Sequence, residues 1–525
     1  GRPHGGGNDW SRAQPVPTGM RLEPGWHALA VEAWNDGGVA GMIGRLDLQL
    51  ADGNRRVLHT QGDWLAFGEA PAGWPTPDLD ALPEAMGIHS FGPTEGHAGP
   101  WGNVMAPKVA PAPESIRVAP GFVVERLYSA QHGEGSWVSM TFGPDGQLFL
   151  SPQSGALMRF DVSALLQQDL RPAPADAPPG AHVAGLQAPQ RMAFPVRNAQ
   201  GLEWAYDSLY VNVVAPADQD GGFHRIQDTD GDGRLDQHEH LVRFGPPTEH
   251  GVHGIRLGPD GALYVINGNY VKPPTDLEGN SVLIDDPMTR IGEDVLIERY
   301  WDPRGHAHGI MHPAGVLYRT DAEGKNWQRI ATGMRNCYDI DISSTGEIFS
   351  YDADMEWDLG MPWYRSPRVL HLIPGGEYGW RSGSAKWPEQ YPDSLPPVLE
   401  TDLSSPVGVE LGEGSRFPAR YQQALFLGDW AWGRITVAML EPDGVTYSAR
   451  YEDFLQGRGV TVTDLEFGPD GNLWFIIGGR GTQSGLYRVR PLQPNPAPTR
   501  LADPPRLAER QALEAAVGTD GAVLE

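Results

Sequence analysis

The chain is 525 residues long with 40% hydrophobic residues, enough for a sizeable core, and apolar runs such as Phe475-Ile476-Ile477 are too short to cross a bilayer as a helix. Its 67 acidic residues against 40 lysines and arginines give a formal charge of −27, which repels phosphate backbones and argues against nucleic acid as a partner. The one cysteine, Cys337, excludes a disulfide framework, a thiolate zinc site and a CxxCH haem attachment within this sequence. From the N-terminus, Met20 to Leu50 alternates like the strands of a β-sandwich, and a proline-rich stretch from Pro107 to Pro113 marks a domain boundary. The sequence opens at Gly1 without Met, which is expected of a processed or excised product.

Beyond that boundary, 67 glycines and 48 prolines, nearly twice the usual share, are spread between short β-branched and aromatic segments. A repeat emerges: Phe142 to Leu150 (FGPDGQLFL), Leu257 to Val265 (LGPDGALYV), Ile342 to Ser350 (ISSTGEIFS) and Phe467 to Phe475 (FGPDGNLWF). Each reads as a strand, a tight turn and a second strand. Weaker copies at Tyr206 to Val213 and Tyr421 to Asp429 bring the total to six. Four-stranded units that cannot bury their faces alone are stabilised by radial stacking, so the fold expected is all-β, a six-bladed β-propeller. The longest insertion, Asn267 to Ala331, falls between the third and fourth copies, and helical periodicity is confined to Val162–Gln168 and Pro505–Val517. The expected domains are a partial, galactose-binding-like β-sandwich or jelly roll at 1–106, a linker at 107–116, the propeller at 117–490 and a helical tail at 491–525.

Candidate chemistry clusters in the middle of the propeller. In DTDGDGRLDQHE, Asp228, Asp230, Asp232, Gly233, Asp236 and Glu239 hold positions 1, 3, 5, 6, 9 and 12 of an EF-hand-type calcium loop, although the flanking FHRI and HLVRF read as strands. His250 and His253 precede the third repeat strand, where an imidazole at the channel end can take a proton from a substrate hydroxyl. With His306, His308 and His312 they could instead ligate a transition metal. Around the fourth copy, Arg335 and Asn336 precede the strand and Asp352, Asp354, Glu356 and Asp358 follow it, four carboxylates that need cations to neutralise them. A second calcium site, or pairing with Arg335 and Arg365, meets that need. Trp363, Tyr364, Trp380 and Arg381 add aromatic and cationic groups, as do Asp429, Trp430 and Arg434 later in the chain. Arg480, before the expected closing strand, either pins an anionic cofactor or ties the first blade to the last.

The phrases HGxxGxxxGPDGxLY, G(M/L)RN, YGW and the closing GR…LYRV resemble the soluble quinoprotein glucose and sorbosone dehydrogenases, six-bladed propellers that bind pyrroloquinoline quinone (PQQ) with calcium. GSWVSMTFGPDG, YDADMEWDLG, PWYRSPRV and KWPEQYPDSLPPV look more closely like a group of large exported bacterial proteins, often described as membrane-bound dehydrogenases. In these a propeller precedes helical repeats and a c-type haem domain. GWHALAVEAWNDGG, HTQGDWLAF and AGPWGNV resemble the sugar-binding jelly rolls that flank glycoside hydrolases.

The resemblance implies His250 as general base, with His253 the competing choice, and Arg335 and Asn336 in contact with the quinone. Trp363, Tyr364, Trp380 and Arg480 complete the expected cofactor-binding set, and Asp352, Asp354 and Glu356 an expected metal set. Where the sugar dehydrogenases present a Gly-Pro whose carbonyls hold calcium, this sequence has Asp354-Met355-Glu356. It further implies export to the periplasm or outside the cell, a carbohydrate or polyol substrate, and electron transfer to a c-type haem domain. The function expected is thus a PQQ-type sugar or alcohol dehydrogenase. Two alternatives stand beside it, a non-catalytic, calcium-braced carbohydrate-binding propeller and a metal-assisted lactonase or hydrolase.

Overall fold

Each of the six turn-centred repeats closes one hairpin, and the chemistry of the turn shows why. In Phe142–Leu150, Asp145 and Gly146 take φ of 55° and 76°, the left-handed region that Asp tolerates and Gly enters without steric cost. The Gly143 N–H then bonds Gln147 O at 2.8 Å, and Gly258, Ser343 and Gly468 make the same closure to Ala262, Glu347 and Asn472. A computed structural model describes residues 45–49, 55–59, 67, 109–131, 133–166, 186–214, 221–231, 233–245, 249–284, 310, 312–353, 365–381, 385–387, 394–495 and 497–516.

The chain divides into two units, residues 1–108 with 131–133, and residues 109–130 with 134–525. Of the first, an antiparallel pair is described, Arg45–Gln49 with Arg55–His59; the jelly roll expected there otherwise lies outside the described residues. The second unit carries six antiparallel sheets of four or five strands, the blades of a propeller, with Gly376–Glu377 added in parallel at the edge of the third and a separate pair, Trp380–Arg381 with Ala385–Lys386. Their innermost strands are Trp137–Phe142, Ala199–Ala205, Val252–Leu257, Cys337–Ile342, Pro406–Leu411 and Val462–Phe467, in blades 1 to 6. Each packs on the next, and the sixth packs on the first, so they ring a central channel.

Both faces of each sheet are buried, which explains why the second strand of each repeat is apolar without a break. Phe475 faces the cluster shared with blade 5, while Trp474 and Ile476 face the one shared with blade 1. Val265 and Ile266 divide in the same way between blades 2 and 4.

Two sequence expectations change. The segment Asn267 to Ala331 is not all insertion, because Gly315–Thr320 and Gln328–Met334 are the third and fourth strands of blade 3. The strand containing LYRV, Gly485–Pro491, does not end the ring: Phe122–Ser129, from the start of the unit, pairs with it as the outermost strand of blade 6. Completing blade 6 with this strand ties the start of the unit to its last blade. Described helices are Ser163–Leu166 and Leu507–Ala516, and no described helix is long and apolar enough to cross a membrane.

Candidate active site at the channel mouth

In an antiparallel blade, the connection into the innermost strand and the loop after the second strand lie at the same end of the channel. His250 stands two residues before the inner strand of blade 3, and Arg335 and Asn336 stand immediately before that of blade 4. Asn269 and Tyr270 follow the second strand of blade 3, and Arg480 follows that of blade 6. Gly268 is the packing point. A Cβ there would sit 2.6 Å from Asn336 Oδ1 and 2.8 Å from His250 Cβ, so only glycine lets the two residues approach.

His250 is buried, its ring stacked on Tyr270 at 4.4 Å, and its Nδ1 lies 2.5 Å from Asn269 Oδ1. With the amide oxygen of Asn269 facing the ring, Nδ1 carries the proton and Nε2 the lone pair, the tautomer of a proton acceptor. Asn269 is held in turn through its backbone N–H, which donates to Arg335 O at 2.8 Å.

His253 is placed differently. Burial drives its pKa down to about 4, against a smaller opposing effect of Asn336, so the ring is neutral at physiological pH. Its Nε2 lies 2.9 Å from Asn336 Oδ1, and its backbone carbonyl accepts from Asn212 Nδ2 at 2.6 Å. Beneath it Tyr338 crosses the channel, donating to Val138 O and Gln200 Oε1 at 3.0 and 3.2 Å, which links blade 4 to blades 1 and 2.

Asp352, read from sequence as a metal ligand, is fully buried. Its oxygens accept from the backbone N–H groups of Arg335 and Asn336 at 3.0 and 2.8 Å and from Arg368 at 3.1 and 3.2 Å. It shapes the loop that carries Arg335 and Asn336, and Arg368 is its cation. Asp354, Glu356, Trp363 and Tyr364 lie outside the described residues, as do Asp232, His306 and His308. Trp380 is buried against Ala314, with Tyr270 and Ile310 packed beside them, which puts it behind the ring that stacks on His250. Arg381 bonds Glu377 Oε1 at 2.8 Å, and His312 faces the other oxygen at 2.9 Å.

Arg480 is exposed, with its backbone N–H donating to Gln153 of blade 1 at 2.5 Å and its guanidinium 5.7 Å from the centre of the Trp430 ring. It also reaches Glu249, the residue before His250, at 3.6 Å. The mouth therefore gathers side chains of blades 3, 4 and 6, with Trp430 of blade 5 below Arg480. The neighbours Asn269, Tyr270 and Glu249 were missed from sequence. Asn269 and Tyr270 follow the apolar strand within three residues, and that adjacency was the available signal.

The calcium-type loop sits elsewhere, between the third and fourth strands of blade 2, Gly222–Gln227 and Gln237–Arg243. Asp228, Asp230 and Asp236 each offer an oxygen within 4.8 Å of the others. Glu239 instead pairs with Arg225 at 2.6 Å, and that bond lowers its pKa.

Below the mouth the channel is lined by six carboxyl groups, Glu203, Asp339, Asp341, Glu410, Asp464 and Glu466. Each accepts a backbone N–H from the inner strand of the next blade, as Asp464 does from Met140 at 2.7 Å and Asp341 from Leu411 at 2.6 Å. Arg256 is the cation among them, 2.6 Å from Glu410, 3.6 Å from Asp341 and 3.9 Å from Glu203. Burial raises all six pKa values, to about 7 for Glu203 and about 8 for Asp464 and Glu466, with Arg256 offsetting part of the effect.

No protein-family model matches the chain, and no curated protein matches it. Solved structures do match. An oxidoreductase (glucose dehydrogenase) of Thermus thermophilus is 18% identical, with a TM-score of 0.46 over 70% of this chain and 100% of its own. The PQQ-bound aldose sugar dehydrogenase of Streptomyces coelicolor is 16% identical, with a TM-score of 0.43 over 71% of this chain and 100% of its own. The PQQ domain of Coprinopsis cinerea pyranose dehydrogenase is 13% identical, with a TM-score of 0.47 over 73% of this chain and 98% of its own.

Proposed function

We propose that the mouth binds a carboxylated quinone of the PQQ type and oxidises a hydroxyl group of a sugar or related polyol, with His250 as general base. The observation that carries this is the His250–Asn269 bond, which fixes a base-competent tautomer beside Arg335 and Asn336. His250 accepts the hydroxyl proton at Nε2 as the carbon–oxygen bond gains carbonyl character. Tyr270 and Asn269 hold the ring so that this nitrogen keeps its direction. A bound quinone supplies the acceptor for the hydride that leaves carbon.

The donor set suits such a group. Arg480 offers a guanidinium fork for a carboxylate, and Trp430 offers a flat ring below it. The Nδ2 of Asn269, buried beside His250, lacks a partner among the described residues and is a donor for a ligand oxygen. Trp380 backs the Tyr270 ring from the buried side, and by the resemblance a c-type haem domain takes the electrons onward. His253, neutral and bonded to Asn336, is a positioning residue here.

The test is to add PQQ and calcium to the purified protein and follow dye reduction with a panel of aldoses. Quinone-dependent turnover and a quinone-dependent rise in melting temperature are expected. Sugar binding without either would favour a carbohydrate-binding propeller, and cleavage of lactones would favour a hydrolase.

Calcium belongs to this reading in a structural role. Asp228, Asp230 and Asp236 would hold the ion and brace the outer hairpin of blade 2, away from the chemistry. Chelation with EDTA should lower the melting temperature by several degrees, calcium should restore it, and Asp230→Asn should remove the response. A melting temperature indifferent to both treatments would show that the loop holds no ion.

A further inference from the structure

We propose that Trp432 is a stacking platform for a further sugar ring at the rim of the mouth, so that the preferred substrate is an oligosaccharide. This rests on the reading of the mouth as a site that takes sugar hydroxyls. Trp432 lies in the turn between the second and third strands of blade 5, Ala424–Asp429 and Arg434–Asp443. The buried Asp429 holds this turn by accepting the N–H groups of Ala431 and Trp432 on Oδ1 at 3.2 and 3.4 Å. The indole N–H donates to Leu403 O at 2.7 Å, and Leu403 stands three residues before the inner strand of blade 5. That is the kind of connection that brings His250 and Arg335 to the mouth.

With its one polar atom satisfied, the ring has only carbon left to offer, and it is 60% exposed. It is the only exposed tryptophan among the described residues, since Trp137, Trp327, Trp380 and Trp474 are fully buried and Trp204, Trp387 and Trp430 partly so. Leaving so large an apolar face in water forfeits burial, and a side chain pinned at both backbone and indole cannot turn to recover it. Trp430, two residues earlier, donates its own N–H to Gly478 O at 2.7 Å and lies under Arg480, so one loop serves both the mouth and its rim.

The charged groups on the segments that carry Leu403 and Arg434 favour a neutral, hydroxyl-rich ligand. Asp402, next to Leu403 and largely exposed, accepts from Arg434 and from Tyr451 Oη, and Asp453 is exposed beside Arg434. These carboxylates repel anions and accept hydroxyl hydrogens, while the fixed indole face takes the apolar C–H face of a pyranose at little entropic cost. A sugar with its reacting hydroxyl at His250 would present its next rings to this rim.

Isothermal titration of the purified full chain with glucose and with gluco-di-, tri- and tetrasaccharides reads the platform without turnover. Wild-type affinity should rise roughly tenfold from glucose to the longer sugars. Trp432→Ala should lose that increment while keeping the glucose affinity, and Trp432→Phe should retain most of it. An increment absent from the wild type, or unchanged in Trp432→Ala, overturns the platform. Should the increment behave as expected in a protein that shows no quinone-dependent turnover, the platform stands and the oxidative reading of the mouth falls.

Discussion

Replacing Arg256 with methionine should leave little soluble folded protein at pH 8 and a substantially larger folded fraction at pH 5. Six carboxyl groups line the channel around this one guanidinium, and three of them lie within 3.9 Å of it. Removing one partner of a buried pair costs about 3–5 kcal/mol, a large part of the stability of a domain. The pH dependence follows from the direction of the shifts. Glu203, Asp464 and Glu466 keep their protons up to about 7, 8 and 8 in the fold. In the unfolded chain they lose them near 4. The unfolded state therefore binds fewer protons, and the fold loses stability as pH rises from about 4 to about 8. Arg256 limits that loss in the wild type, so its removal steepens it. Soluble yield and thermal unfolding between pH 5 and pH 8.5 read the effect, with Asp464→Asn and Glu466→Gln as companions that should flatten the curve. An Arg256→Met protein with wild-type stability across this range would mean that the channel carboxyls do not depend on the guanidinium.

The turn-centred repeats were legible because each is a local event: Pro-Asp-Gly or Ser-Thr-Gly sets a hairpin, and the apolar run after it belongs to a strand buried on both faces. The outer strands were not. Gly315–Thr320 and Gln328–Met334 pair with register shifts at Gly315/Leu317 and Leu317/Tyr318, and such bulges erase the two-residue period. Phe122–Ser129 finds its partner at Gly485–Pro491, a pairing across the whole ring that no local pattern can announce. In the site, position just before a repeat strand drew attention to His250, and the resemblance to Arg335 and Asn336. Asn269 went unnoticed because an asparagine after a strand reads as a turn residue, and only the fold shows its oxygen on the imidazole. The channel carboxyls had a signal that was overlooked: Arg256, Asp341, Glu410 and Glu466 each stand one residue before the end of an inner strand. Charged residues at one offset in successive repeats, inside otherwise apolar strands, mark a shared axis.

His250→Ala should lower kcat by about 10²- to 10⁴-fold, the usual worth of a positioned general base, while the quinone-dependent rise in melting temperature survives. The two histidines differ enough to be told apart. His250 has its Nδ1 committed to an acceptor and its ring fixed against Tyr270, so removing it takes the base away and leaves Arg335 and Asn336 in place. His253 is desolvated to a pKa of about 4, and a base that weak has little driving force to take a hydroxyl proton. Its ring instead holds Asn336 at 2.9 Å and packs on Tyr338, so His253→Asn should act through cofactor affinity and KM, with kcat falling far less. A His250→Ala enzyme with wild-type kcat, or a larger kcat loss on changing His253, would move the base to the other imidazole.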